Sequence, residues 1–178
     1  QAFVNNNPKV WDVLDDSWGV AENETKDIVN YIRGDSTYDG AKYRDRKGWF
    51  LGDIIYSTPV FVGPPKFYYT ENNYQDFKAA NDARANIVYV GANDGMLHAF
   101  NAADGSEEWA FIPENVLPKL KKLTEANCHQ YLVDLSPVGA DIWDGTNWKT
   151  VLIGGNRLGG EEFFCLDVTD PSYNNFSV

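Results

Sequence analysis

Hydrophobic positions in this chain fall into two regimes. The first part carries helix-like spacing, and from about residue 49 the spacing shortens to strand-like runs broken by glycine and Asx turns. Val10, Trp11 and Leu14, then Ile28, Val29 and Ile32, recur at three- and four-residue intervals and predict two short helices. Residues 23–27 supply a start for the second helix, with Asn23 or Thr25 as cap and acids in the first turn. Gly34 marks its end. Residues 35–48 are polar, with Arg44, Arg46 and Lys47 clustered, and read as an ordered loop.

The run from Ile54 to Val62 is β-branched and aromatic and predicts a strand, with Pro59 placing it at a start, an edge or a bulge. Residues 66–86 form a long insertion containing Phe67, Tyr68, Tyr69, Tyr74 and Phe77, with one helical turn expected near 74–80. Three strands follow at 87–91, 96–101 and 107–112. Asn93-Asp94-Gly95 and Ala103-Asp104-Gly105 join them, and Asp-Gly is a strong hairpin signal. A helix is expected over 114–123, with Val116, Leu117, Leu120 and Leu123 on one face and Pro118 in its first turn. Residues 131–137 match 54–59, each with Ser near Pro. Strands are expected through Ile142-Trp143, over 148–154 and over 162–167, and Phe176-Ser177-Val178 reads as a fourth strand cut short.

The stretch from Ile87 to Trp109 and the stretch from Val151 to Asp170 are imperfect copies, with Gly91 and Gly154 matching. Such a unit buries its face only against a neighbour, so the repeat predicts stacked sheets like the blades of a β-propeller. The expected fold is mainly β: about two four-stranded antiparallel blades, a short helical N-terminal segment and one inter-blade helix. The expected division is a lead-in over 1–48 and an incomplete propeller over 49–178. Blade one takes 49–112, the helix 114–123 and blade two 129–178. Two blades do not close a ring, since propellers carry four to eight. The remainder is expected from a longer protein or from another chain. A small stand-alone β-sandwich is the plainer alternative.

Composition narrows the function. A net charge of -11 disfavours nucleic acid and anionic membrane surfaces as partners. No run of 18 apolar residues exists, so no membrane-spanning helix is expected. No signal peptide is visible, and the start at Gln1 reads as a mature or excised segment. Aromatic content of 15% supplies bulk for a core. Cys128 and Cys165 either form one bridge in an oxidising compartment or are two thiols.

Chemical motifs are sparse. Asp141, Asp144 and Asn147 carry oxygen ligands and are the calcium candidates, yet calcium takes six to eight oxygens and Asx residues in turns usually bond their own backbone. His98 is expected in a packed interior or channel. His129 beside Cys128 lacks a repeating zinc spacing. Ser57 and Ser136 recur with the repeat and read as structural. Nucleophile elbow, Walker and Rossmann motifs are absent from the sequence, so no catalytic or cofactor-binding residue is assigned.

Five ordered blocks carry a family resemblance: the segments starting at Trp49, Tyr89, His129, Trp148 and Leu166. Together they closely resemble the C-terminal propeller of the PilY/PilC-type type IV pilus proteins. Residues 29–35 also resemble the segment leading into that propeller. The resemblance implies a non-enzymatic protein, secreted to the cell surface, pilus tip or outer membrane of a bacterium. It would support pilus biogenesis and adhesion as a binding scaffold. Implied partners are pilin or minor pilins and a host or abiotic surface. The family's calcium loop would lie downstream of Pro171, and no cofactor is implied within this segment. Tyr68, Tyr69, Tyr74 and Phe77 are the candidate partner contacts, together with the 35–48 loop, because propellers bind through projecting loops. Two alternatives stand beside this reading. One is a quinoprotein oxidoreductase, whose blades resemble residues 99–109 and whose repeat Trp, here Trp109, docks neighbouring blades. The other is a generic envelope scaffold.

Overall fold

A computed structural model describes residues 14–172. Val10 and Trp11 of the first expected helix lie outside the described residues, and 14–18 are helical. The expected strand at 176–178 also lies outside them.

Helix α1 (Glu22–Ile32) starts one turn earlier than expected. Its cap is Ala21, whose side chain cannot bond, and Asn23 and Thr25 sit inside the helix. Glu22 and Glu24 fill the first turn, where their charge favours the exposed N–H groups. The helix ends as expected. Gly34 takes φ +99°, its N–H donates to Tyr31 O (2.9 Å), and Asp35 N–H donates to Asn30 O (3.0 Å). These two bonds satisfy carbonyls the helix leaves open, and the left-handed residue between them favours glycine.

Two antiparallel sheets follow. In the first, β1 (Val60–Val62), β2 (Ile87–Gly91), β3 (Leu97–Asn101) and β4 (Glu107–Phe111) lie in sequence order. In the second, β5 (Val138–Trp143), β6 (Trp148–Gly155) and β7 (Phe163–Asp167) do the same. Val60 pairs with Tyr89, and Val138 pairs with Ile153, so Gly91 corresponds to Gly155. The sequence match with Gly154 is one residue out of register.

The same Asx turns recur after β3 and β7. Asn101 Oδ1 accepts from Ala103 N–H, and Asp167 Oδ1 accepts from Thr169 N–H. Asp104 and Asp170 then accept from Ser106 and Ser172 N–H in turn.

The strand expected over 54–62 is confined to Val60–Val62. Residues 53–58 run instead beside 131–137, and side chains make the bonds. Asp134 Oδ1 accepts from Tyr56 N–H (3.2 Å) and Ser136 Oγ from Thr58 N–H (2.9 Å), both spaced 78 residues apart. Ser57 Oγ accepts from Gly91 N–H (2.9 Å). The repeated serines therefore brace backbone.

One face of the first sheet packs on the second. Tyr89, Ala99 and Trp109 form a buried cross-strand row there, each fully enclosed. Trp109 Nε1 donates to Pro171 O (2.8 Å) in the turn after β7, so this Trp docks the neighbouring sheet as its repeat position implied. Phe111 meets Phe164 across the same gap, with ring centroids 5.2 Å apart. The corresponding row of the second sheet is exposed: Val138 at 59%, Ile153 at 42%, and Cys165 beside them.

Between the sheets, the expected helix is present over Glu114–Thr124 and has 3-10 geometry. Pro118 inside it offers no N–H and clashes with an α-helical carbonyl four residues back. Val116, Leu120 and Leu123 are buried, while Leu117 is half-buried. The N-terminal segment packs on this helix: Trp18 Nε1 donates to Leu117 O (3.1 Å) and Lys121 Nζ to Trp18 O (2.9 Å). Leu14, Ile28 and Ile32 join the same apolar core as Leu120 and Leu152.

Candidate interaction site

The aromatic insertion is bolted to the second sheet by a short helix, α2 (Tyr74–Ala80). Tyr74 is fully buried, and its hydroxyl donates to Asp141 Oδ2 (2.6 Å). Thr150 donates to the other Asp141 oxygen (2.6 Å), and Arg84 donates to Thr150 (2.6 Å). Burial, then the bond to Asp141, pushes the Tyr74 phenol well above its ordinary pKa. Tyr74 thus anchors the insertion from within and presents no surface to a partner. Phe77 beside it is half-buried, with ring centroids 5.8 Å apart.

Above this anchor lies a stack of rings. Trp148 and Tyr69 are parallel within 7° at 5.4 Å, and Phe67 stacks on Tyr69 at 5.3 Å. Trp148 Nε1 donates to Asn72 O (3.1 Å). Tyr68 projects furthest, 83% exposed, with Lys78 Nζ 4.0 Å from its ring centre. Phe67 and Tyr69 are also exposed. Of the four residues named from sequence, Tyr68 and Tyr69 therefore lie on the surface. Phe67 opens the expected 67–77 contact stretch and lies on the surface beside them.

The 35–48 loop is organised around Arg46. Its guanidinium forks onto Asp39 (2.7 and 2.9 Å), donates to Tyr31 O and Asp35 O, and lies 3.8 Å from the Tyr31 ring centre. The Arg46 side chain is 6% exposed. This hub makes the loop a firm surface.

Asp141, Asp144 and Asn147 do not converge. Asp141 is taken by Tyr74 and Thr150. Asp144 Oδ1 accepts from Thr146 and Asn147 N–H (2.8 Å each), and its other oxygen lies 3.2 Å from Lys149. Turn structure and a lysine occupy these oxygens. Among the described residues, no group of three or more His, Cys, Asp or Glu side chains is placed to hold a metal. Cys128 and Cys165 are unbridged thiols, half-buried and exposed respectively, so the disulfide alternative is not realised in this structure.

His98 is buried in a polar cluster that spacing did not reveal. Its Nδ1 lies 2.6 Å from Glu107 and its Nε2 3.1 Å from Asp94, whose other role is to accept from Gly52 and Met96 N–H. Burial pushes the imidazole pKa down, but hydrogen bonds and charge from Asp94 and Glu107 outweigh it. The result is a rise from 6.5 to about 9. The folded state therefore holds His98 protonated where the unfolded chain does not. This stabilisation is complete below pH 6.5 and is lost as pH climbs through 9. Denaturant unfolding is expected to show a loss on the order of 2–3 kcal/mol between pH 6 and 10. The His98→Gln variant should flatten that dependence.

His129, in contrast, is half-exposed. Its Nε2 lies 2.9 Å from Asp53, which also accepts from Asn93 Nδ2 (2.8 Å). Burial would raise the Asp53 pKa, but these two bonds hold it below its ordinary value.

Comparison with known proteins decides the lineage. The family model for the PilY1 β-propeller domain matches residues 51–176, which takes in both sheets. The chain belongs to the PilY1 β-propeller family. The PilY1 type IV pilus biogenesis factor of Pseudomonas aeruginosa strain PAK is 45% identical over 164 residues, covering 86% of this chain and 14% of that protein. A PilY1 homologue of Xylella fastidiosa is 46% identical over 156 residues, covering 81% and 13% respectively. The crystal structure of the Pseudomonas aeruginosa PilY1 C-terminal domain superposes with a TM-score of 0.52 at 45% identity. It covers 65% of this chain and 23% of that one. The chain thus spans about one seventh of the curated PilY1 relatives it matches. No helix among the described residues is long and apolar enough to cross a membrane.

Proposed function

We propose that this chain supports type IV pilus biogenesis as part of a PilY1-type propeller outside the cell, at the surface or on the pilus. The match of the PilY1 propeller family across both sheets carries this reading. The chain supplies two stacked sheets as a rigid support. The exposed rings of Phe67, Tyr68 and Tyr69 project from it as a contact for pilins, minor pilins or an attachment surface. Rings held by Tyr74 and Trp148 lose little freedom on binding, which favours such a contact.

Deleting residues 49–172 in frame from the chromosomal gene tests the role. Electron microscopy should show several-fold fewer surface pili, and unchanged pilus numbers would overturn the proposal. Tyr68→Ser with Phe67→Ser should lower surface attachment while leaving pilus numbers unchanged. Unaltered attachment would remove the insertion from the account.

A further inference from the structure

Trp49, Phe50, Leu51, Ile54, Ile55 and Tyr56 are all exposed, Trp49 at 82%. Scattered exposed apolar residues are ordinary, but a contiguous strip marks a contact surface. This strip is not loose chain. Asp45 Oδ1 accepts from Lys47 N–H (2.8 Å), and Lys47 and Gly48 take left-handed backbone with φ 53° and 82°. Trp49 N–H donates to Arg46 O (3.0 Å), so the Arg46 hub sets where the indole projects. Further on, Gly52 N–H donates to Asp94 Oδ2 (2.7 Å), and Asp53 O accepts from Asn93 N–H (3.0 Å). A Cβ at Gly52 would collide with the Asp94 backbone, so this close approach needs glycine. Residues 49–51 are therefore pinned at both ends and still present apolar side chains to solvent.

Beside them lies a cavity of about 150 Å3, between the end of α1, Phe50-Leu51 and the first sheet. Ile32, Phe50, Leu51, Met96 and Phe100 line it, together with polar His98 and Glu107. An apolar space of that size accepts a benzene-sized group. On the other side, Arg44, Trp49 and Leu51 share a smaller hollow of about 60 Å3. Charge at this rim runs against that of the whole chain. Arg44 and Lys47 are exposed and form no ion pair among the described residues, whereas the chain carries a net charge of -11.

We propose that residues 44–51 and the cavity beside them dock a segment of a partner protein in which an aromatic side chain is flanked by acidic residues. The partner's ring enters the cavity against Phe50, Leu51 and Met96. Its acids meet Arg44 and Lys47, and Trp49 covers the segment from water. An aromatic anchor in a pocket, ringed by contacts that exclude water, is how a few residues supply most of a binding energy. The two cations select an acidic partner and fix its register. A strip already pinned at both ends loses little freedom on docking. The surface is separate in sequence from the rings at 67–69, and its failure would leave the proposed function standing.

Selection from a library of short random peptides on the full chain tests this chemistry. Retained peptides should carry Phe, Tyr or Trp flanked by Asp or Glu. In calorimetric titration, Trp49→Ala should weaken the best of them about tenfold, and Arg44→Gln with Lys47→Gln should do the same. The loss in the double variant should shrink as added salt screens the rim charges. All three positions are exposed, so these variants should melt with the wild type. An empty selection, basic or ring-free peptides, or equal affinity for Trp49→Ala overturns the proposal. Vesicles of phosphatidylcholine and phosphatidylglycerol form a second arm. Cosedimentation that Trp49→Ala abolishes would make the strip a lipid contact and overturn the docking of a protein. Hydroxyl-radical footprinting of the free protein forms a third. Trp49 should oxidise readily and become protected when peptide is added. Protection before any peptide is present would mean that the protein's own chain covers the strip, and would overturn the partner reading.

Discussion

Replacing Trp109 with Ala is expected to destabilise the chain by about 3–5 kcal/mol, roughly 10 °C in melting temperature. The ring is fully buried in the row that joins the two sheets, in contact with Tyr89 at 5.6 Å. Its removal leaves a large cavity at the junction. It also strips Pro171 O of a donor. Trp109→Phe separates the two losses: it keeps most of the apolar volume and should cost only about 1–2 kcal/mol, the worth of the lost bond plus a smaller void. Calorimetry on both variants checks the order. If the Ala variant melts within a degree or two of the wild type, Trp109 does not hold the sheets together.

Arg46→Ala should cost a similar amount, about 3–5 kcal/mol, for a different reason. The loss strands Asp39, whose side chain is only 11% exposed, together with the carbonyls of Tyr31 and Asp35. Arg46→Lys should recover little of it, because an ammonium cannot reproduce the planar fork or its stacking on Tyr31. Hydrogen exchange should localise the damage to residues 35–48 and the end of α1, with the sheets still protected. Uniformly faster exchange throughout would make Arg46 part of the global core and contradict the local account.

The hairpins β2–β3 and β3–β4 were legible because Asp-Gly turns and alternating residues act over a few positions, and the structure follows them within a residue. The repeat was legible for the same reason. Ile54–Thr58 misled because its β-branched composition is that of a strand, while its bonds go to side chains of Asp134 and Ser136 far along the chain. Tyr74 looked like its exposed neighbours. Nothing local marks it as buried, since its burial depends on Asp141 from the other sheet. The Arg46 hub and the His98 cluster share that property. Each is assembled from segments that only the fold brings together. The cap at Ala21 shows the converse, a strong local signal at Asn23 and Thr25 overruled by the packing of α1 on the 3-10 helix.

A pair of PilY1-type blades with a role in the pilus should stand in for the matching blades of a relative. The most direct measurement is a chimera in which residues 51–172 replace the matching segment of Pseudomonas aeruginosa PilY1 at its chromosomal locus. Pili are then counted on cells with normal levels of the chimeric protein. Surface pili close to the parental number are expected, and bald cells carrying well-folded chimera would contradict the proposed role.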